Sequence, residues 1–433
     1  MRSIALAVAC AVSALAATNS GSVTFNKEVL PILQKRCQDC HRAGEVAPMA
    51  LINYQDARPW AKSIRQAVIT KKMPPWFADP HVGKFANDRS LSQAEIDTIV
   101  AWVDGGAKEG DPKDAPAPRT FVEGWNIGKP DLVIEMPNAF AIPATGKVEY
   151  MYVVLPTGLK EDRWIETTEV RPGNRAVMHH VIASIREPGS TWMPDAKPGV
   201  VFLPERGNRG GQLSAGLGSY VPGQVVLPAG DGPRRATLLK AGSDIVFQLH
   251  YTPNGTATTD KTRIGIIFAK GAPEKRLVGG NSASMRFAIP PGDSNYKIEG
   301  SSTLQYDCDL ISMMPHAHLR GKSFEYRIVR PDGTSQTVLS VPKYDFNWQL
   351  TYYLAEPLHL TKGTKLEVTA YYDNSPNNVY NPDATKEVHW GEQTWEEMMM
   401  GYFNVAVDGS VQLPDGRGRR QPTDTASLAT PQQ

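Results

Sequence analysis

Cys37-Gln38-Asp39-Cys40-His41 is the stretch of this chain with the most definite chemistry. Two thiols three residues apart, followed at once by an imidazole, form the pattern that captures the vinyl groups of haem as thioethers and offers the next side chain to the iron. Only four cysteines occur in 433 residues, and two of them fall in this pentapeptide. One covalent haem c is the expected cofactor, held by Cys37 and Cys40 with His41 as proximal ligand; a zinc or redox Cys-x-x-Cys is the competing reading. The sixth ligand must come from elsewhere. Met73, in Lys72-Met73-Pro74-Pro75-Trp76, is placed best, because two prolines stiffen the backbone after it and a thioether raises the potential of an electron-transfer haem. Met49 and His81 compete for the position.

Five of the later histidines fall in three compact settings: Met178-His179-His180, Gln248-Leu249-His250-Tyr251 and Pro315-His316-Ala317-His318. On a strand, His-x-His points both imidazoles to one face, which makes a chelate. Adjacent histidines point to opposite faces. His179 and His180 can share a metal only if the strand bulges or ends there, and Pro172-Gly173-Asn174 just before them agrees with irregular backbone. Met398-Met399-Met400 follows Glu396-Glu397. Imidazole suits Cu(II) and thioether selects Cu(I), so a His-His-Met set can hold both states of a cycling copper. Taken alone, His250 reads as a hydrogen-bonded core residue, His359 as structural, and Met398 to Met400 as core filling.

The elements that must position these groups differ along the chain. Arg2, an apolar run from Ile4 to Val12, and Ala14-Leu15-Ala16 have the layout of an export signal over 1–16, cleaved after Ala16. From 22 to 110 the periodicity is helical. Val29, Ile32 and Leu33 line Asn26 to Arg36; Trp60, Ile64, Ala67 and Val68 line Asp56 to Thr70. A third helix opens on the capping box Ser92-Gln93-Ala94-Glu95, carries Ile96, Ile99, Val100 and Val103, and stops at Gly105-Gly106. Residues 111–121 read as a linker. Beyond it, β-branched and aromatic runs such as Val148 to Leu155, Ala176 to Ile185, Asp244 to Tyr251, Arg263 to Phe268, Phe324 to Val329 and Lys365 to Tyr372 alternate with turn residues. That is an all-β pattern. Its length predicts two sandwiches, 122–280 and 281–408, divided near Gly279 to Asn281, before a polar tail over 409–433 expected to be disordered.

Charge excludes one class of partner. Lys and Arg number 46 against 45 Asp and Glu, with no block of one sign, so nucleic acid is not expected to bind. No stretch after the leader reaches the roughly 20 apolar residues that span a bilayer, so no transmembrane anchor is expected. Once the leader is removed, Cys308 has no partner for a disulfide if Cys37 and Cys40 carry haem. Export to the periplasm or beyond agrees with covalent haem, which is attached outside the bacterial cytoplasm.

Phe25 to Gly110 resembles the small cytochrome c domains through Cys37, Cys40 and His41, with Met73 less fixed by the pattern. The order His179-His180, then Gln248-Leu249-His250-Tyr251, then His316-Ala317-His318-Leu319-Arg320-Gly321-Lys322, then His389-Trp390-Gly391 and Glu396-Glu397-Met398 resembles the copper type II, ascorbate-dependent monooxygenases. That family includes peptidylglycine alpha-hydroxylating and dopamine beta-monooxygenases. The resemblance implies two tandem jelly-roll sandwiches, each with one copper. It assigns His179, His180 and His250 to an electron-transfer copper, and His316, His318 and Met398 to an oxygen-binding copper. The longest matching motifs lie between about Tyr306 and Phe403. Two positions depart from the peptide-amidating relatives: Met314 and Met400 stand where those hold the substrate carboxylate with arginine and asparagine, and only Tyr402 keeps the pattern. A glycine-extended peptide is therefore not the expected substrate.

The expected protein is multidomain: a small all-α cytochrome c domain followed by an all-β region of two jelly-roll-like sandwiches. Its expected function is an exported haem-copper oxidoreductase that hydroxylates a C–H bond of a small organic substrate with O2 at His316, His318, Met398 and Tyr402. Electrons would come from an external donor, ascorbate or a redox protein, through the haem and the His179 copper. The alternatives are a non-catalytic copper-binding or electron-transfer cytochrome and a peroxidase-type cytochrome.

Overall fold

The computed structural model describes residues 22–121, 124–204, 216–224 and 235–411. The expected leader over 1–16 and the expected tail beyond 411 lie outside the described residues. The chain divides into a helical unit, residues up to Pro74 together with Ser90–Arg119, and a β unit, Pro75–Arg89 together with the chain from Thr120 onward.

In the helical unit a π-turn Phe25–Val29 leads into the helix Leu30–Arg36, burying Phe25, Val29, Leu30 and Leu33. Pro31 sits in the first helical turn, where a missing N–H costs nothing. The single helix expected over Asp56 to Thr70 is broken. Pro59 removes a donor, so a short helix Tyr54–Ala57 passes through a 3-10 turn Arg58–Trp60 into the helix Ala61–Ile69. The tighter turn rotates the following face, so Ala57, Ala61, Ile64 and Val68 point inward while Trp60, expected inside, is 43% exposed. The helix Gln93–Asp104 does begin on the Ser92/Glu95 capping box. Its innermost side chain is Trp102, not Val100 or Val103. The indole fills the space against Phe25, with ring centroids 5.7 Å apart, and donates its Nε1–H to the Lys108 carbonyl at 2.9 Å. Residues of the expected linker pack back on this unit: Gln34 donates to the Ala117 carbonyl at 3.0 Å, and Arg119 pairs with Asp39 at 2.8 Å.

The β unit is built on one eight-stranded sheet. Its strands run in the order Leu132–Glu135, Arg263–Phe268, Arg163–Arg171, Arg235–Leu239, Lys275–Ser284, Met399–Asp408, Cys308–His316 and Tyr352–Leu360. A four-stranded sheet, ordered Met151–Pro156, Asp244–Tyr251, Met178–Arg186 and Gly216–Tyr220, shares a core with the first half of it. A second four-stranded sheet, ordered Tyr296–Thr303, Lys365–Tyr372, Gly321–Val329 and Ser335–Val341, shares a separate core with the other half. Period-2 alternation explains the burial: Leu366, Val368, Ala370 and Tyr372 of one strand all face inward.

The two halves are joined where Lys275 and Arg276 pair in parallel with Arg235 and Ala236. The strand Lys275–Ser284 runs through Gly279 to Asn281, where the sequence placed the division, and pairs residue by residue with Met399–Asp408. Gly280 serves close approach: a Cβ there would lie 2.4 Å from Cζ of Phe403. The segment Pro75–Arg89 forms a strap on the second half. Asp79 N–H donates to Ser340, Ala86 N–H to Tyr353, and Ala355 N–H to Lys84, each at 2.8 Å, while Trp76 and Phe85 pack edge-on against Tyr352.

Gly280→Val forces the Phe403 ring or the backbone to move, and should lower the unfolding free energy by about 1–3 kcal/mol. Urea denaturation followed by tryptophan fluorescence measures it; an unchanged midpoint would remove the packing account of this glycine.

Candidate metal centres

The strand Met178–Arg186 pairs antiparallel with Asp244–Tyr251, Met178 opposite Tyr251 and His180 opposite His250, with the register slipping between Met178 and His180. His179 is thus the extra residue of a bulge. That is the irregularity adjacent histidines need if both are to reach one centre. The coordinating atoms available on His179, His180 and His250 all lie within 4.8 Å of one another. His179 Nδ1 and His180 Nδ1 are 3.3 Å apart, the spacing of neighbouring nitrogens on a metal with bonds of roughly 2.0–2.1 Å. His180 directs Nε2 to Gln248 Oε1 at 3.2 Å, and Gln248 in turn donates to the Tyr152 hydroxyl at 2.5 Å. This turns the His180 Nδ1 toward its neighbours. Tyr150 closes the cluster, its ring 4.5 Å from His250 and 5.2 Å from His180.

The second cluster forms where the strand Cys308–His316 ends. His316 lies opposite Met400 and Met314 opposite Tyr402, so these four side chains share a face of the sheet. Met398 immediately precedes the strand Met399–Asp408, in phase with Met400 and Tyr402. The rings of His316 and His318 stand 5.3 Å apart and perpendicular. His316 donates Nδ1–H to Gln349 Oε1 at 2.8 Å, and His318 donates Nδ1–H to the Glu396 carbonyl at 3.1 Å. Both bonds leave Nε2 as the lone-pair nitrogen. The wholly buried Glu397 accepts from the backbone N–H of His318 at 2.8 Å, Arg320 at 2.7 Å and Met398 at 3.1 Å. One carboxylate thereby ties the histidine loop to the methionine. Burial raises its pKa to about 7 against the pull of those three donors. The core-filling role fits Met399, which is fully buried in the second core, while Met398 is half-buried and outside it.

Electrostatics make every one of these imidazoles neutral. Burial, and then the neighbouring His316, lowers His179 to about 4; burial lowers His316 to about 4 and, with His316 beside it, His318 to about 3. His180 and His250 are pushed well below the usual value, again chiefly by burial. Neutral imidazole is the form that binds metal. Meanwhile His179 Nε2, His250 Nδ1 and His318 Nε2 are buried without a partner. An unsatisfied buried polar atom costs roughly 1–3 kcal/mol. A bound cation at each cluster would relieve that cost at His250 Nδ1 and His318 Nε2, so the donor sets fit a metal that takes imidazole and thioether, as copper does.

In the helical unit the backbone closes a turn over the Cys-His motif, with Cys40 N–H and His41 N–H both donating to the Cys37 carbonyl, at 3.2 and 3.0 Å. His41 donates Nδ1–H to the Met49 carbonyl at 3.2 Å, leaving Nε2 to ligate, and burial lowers its pKa. Burial raises the Cys37 thiol to about 12, with Cys40 adding to the effect. Those groups fit a thioether-bound haem. Met73 is half-buried two turns of chain after Val68, its N–H bonded to the Ala67 carbonyl at 3.2 Å. Of its competitors, Met49 is spent at its carbonyl on His41, and His81 is exposed in the strap of the β unit.

Several site residues carry no motif of their own. Gln349, Tyr150 and Phe346 arrive from loops or another strand. Gln248 and Glu397 stood inside the quoted motifs without an assigned role. His389 and His359 stay outside both clusters, paired with Glu387 and Asp309 at 3.0 Å each.

Residues 277–406 match the family model of the copper type II ascorbate-dependent monooxygenase, C-terminal domain. The matched span includes His316, His318, Met398 and Tyr402; His179, His180 and His250 precede it. At the family level this part of the chain is copper monooxygenase-like, a class that implies copper, O2 and ascorbate. No curated protein matches the chain. Among solved structures, the VP2 subviral particle of infectious bursal disease virus is 9% identical, with 67% of this chain and 74% of that chain covered at a TM-score of 0.20. The STIV MCP is 10% identical, with 57% and 95% covered at 0.19. Scores this low carry nothing over to this chain. Among the described residues no helix is long and apolar enough to cross a membrane.

Two outcomes follow from the geometry. Histidines lowered from 6.5 in the unfolded chain to 3–4 in the fold stay unprotonated where the unfolded chain binds protons, so stability is full above pH 6.5 and is lost as pH falls toward 4. Urea midpoints of metal-free protein across that window should drop, and should drop less in His179→Phe. Glu397→Leu strands three backbone donors and should cost at least ~2 kcal/mol, read from the same unfolding curves.

Proposed function

We propose that this chain is an exported haem-copper oxidoreductase that hydroxylates a C–H bond of a small organic substrate with O2. The observation that carries the reading is the gathering of five imidazoles, four buried and His179 half-buried, from three strands and the turn after His316 into two clusters, with three ring nitrogens lacking any protein partner. The family match over 277–406 adds the class of chemistry for the second cluster.

In this reading His179, His180 and His250 hold one copper, and His316, His318 and Met398 the other. Cys37 and Cys40 carry haem c, with His41 proximal and Met73 distal. The β unit comprises two tandem jelly-roll-like sandwiches and the helical unit is a small cytochrome c domain. Bound copper and haem supply one-electron transfer and oxygen reduction, which amino-acid side chains lack. The overall balance is R–H, O2, two electrons and two protons giving R–OH and water, with ascorbate or a redox protein as the outside donor.

The protein's own part is orientation. Gln349 and the Glu396 carbonyl fix the tautomers of His316 and His318, and Glu397 holds Met398 beside them. Gln248 fixes His180. Met314, Met400 and Tyr402 share the His316 face and offer no cation to a substrate carboxylate, which supports a weakly polar substrate. Export supports haem attachment and keeps the protein where ascorbate or periplasmic donors are met.

Full-length protein reconstituted with copper should bind two ions per chain, keep haem through acid-acetone extraction, and consume O2 only when reductant is present. Met398→Ala should abolish reductant-driven O2 consumption and leave the haem in place, while Cys40→Ser should lose part of the covalent attachment. Turnover of hydrogen peroxide without copper would favour a peroxidase instead.

A further inference from the structure

Between the strands Ser335–Val341 and Tyr352–Leu360 runs a loop that touches both candidate centres. Phe346, 9% exposed, stacks on His179 with ring centroids 4.6 Å apart and planes at 23°. The same ring meets His318 edge-on at 6.0 Å and 85°. Three residues on, Gln349 takes the Nδ1–H of His316 at 2.8 Å and donates its own Nε2 to the Phe346 carbonyl at 3.4 Å. Two residues before, the Tyr344 hydroxyl donates to the Ala317 carbonyl at 2.9 Å and accepts the Ala317 N–H at 3.2 Å. The Phe346 backbone is thus locked to the His316-Ala317-His318 segment on one side, while its ring face is spent on His179 on the other.

We propose that Phe346 is the spacer that sets the separation of the two copper centres and keeps water out between them. The inference rests on the two-copper reading and extends it to a residue that binds neither ion. A flat, rigid ring with one face on an imidazole of the first set and its edge toward an imidazole of the second is a contact that a flexible side chain cannot hold. It also removes solvent that would have to reorganise when charge moves. In that transfer one electron leaves Cu(I) held by His179, His180 and His250, giving Cu(II), and enters Cu(II) held by His316, His318 and Met398, giving Cu(I); no bond is made and no proton moves. Phe346 positions the partners and undergoes no redox change.

The test uses full-length, copper-loaded protein with both ions oxidised, and reads the dipolar broadening of the Cu(II) EPR spectrum. Wild type should show one well-defined interaction, absent from a His250→Ala control that holds a single ion. Phe346→Ala should smear it at unchanged copper content, and Phe346→Leu, which keeps the apolar volume and guards against misfolding, should do the same. Phe346→Tyr, which keeps the ring, should restore it. Single-turnover transfer between the centres should slow in the alanine variant and recover in Phe346→Tyr. Two coppers with unchanged broadening in both the alanine and leucine variants would overturn the spacer. Fewer than two coppers in wild type would instead overturn the two-copper reading and the spacer with it.

Discussion

Everything in the β unit answers one constraint: five imidazoles, four of them buried and His179 half-buried, are packed together where the protein leaves three of their nitrogens without a partner. A fold keeps such a defect only when something outside the chain satisfies it, since each orphan costs roughly 1–3 kcal/mol. Burial also strips these rings of their protons, so the groups that water abandons are left in the state in which a metal is bound. Desolvation is therefore both the cost of the site and the source of its affinity.

The surrounding polar groups divide the labour. Amide and carbonyl partners, Gln248, Gln349 and the Glu396 carbonyl, each take one nitrogen of a histidine and leave the other. Glu397 acts on the backbone instead, collecting three N–H groups from two chain segments 77 to 79 residues from it or adjacent to it. Arg320 completes that buried turn through Asn374 at 2.8 Å and the Trp395 carbonyl at 3.0 Å. The eight-stranded sheet runs through both halves of the unit and carries the second cluster, while the first cluster stands on the four-stranded sheet packed against its first half.

The helical unit solves a smaller problem with local means. Its ligand motif closes within one turn of chain, and the capping box of Ser92 and Glu95 and the buried indole of Trp102 are both short-range devices. That is why the motif, the cap and the helices could be read from neighbouring residues, while Trp60 was misplaced: the inward face was changed by Pro59, whose effect is geometric and does not show in the hydrophobic pattern.

What the amino-acid order determined by itself is what neighbours along the chain decide: the Cys37-Cys40-His41 turn, the period-2 strands, and the need for a bulge at His179, met by the register slip beside it; His318 lies beyond its strand, which ends at His316, so alternation does not place it. Gly280 shows the limit, since glycine marks both a flexible joint and a close contact, and here it is the ring of Phe403 that its missing Cβ makes room for. Tertiary structure alone decided which distant side chains share a site. Phe346 and Gln349 sit in an ordinary loop, Tyr150 in one β-type run among several, and nothing local separates them from other aromatic or amide residues. Their roles come from strand pairing and packing across more than 160 positions, at least between His179 and Phe346, and such contacts leave no periodic trace in one sequence because side chains meet through space and not through spacing.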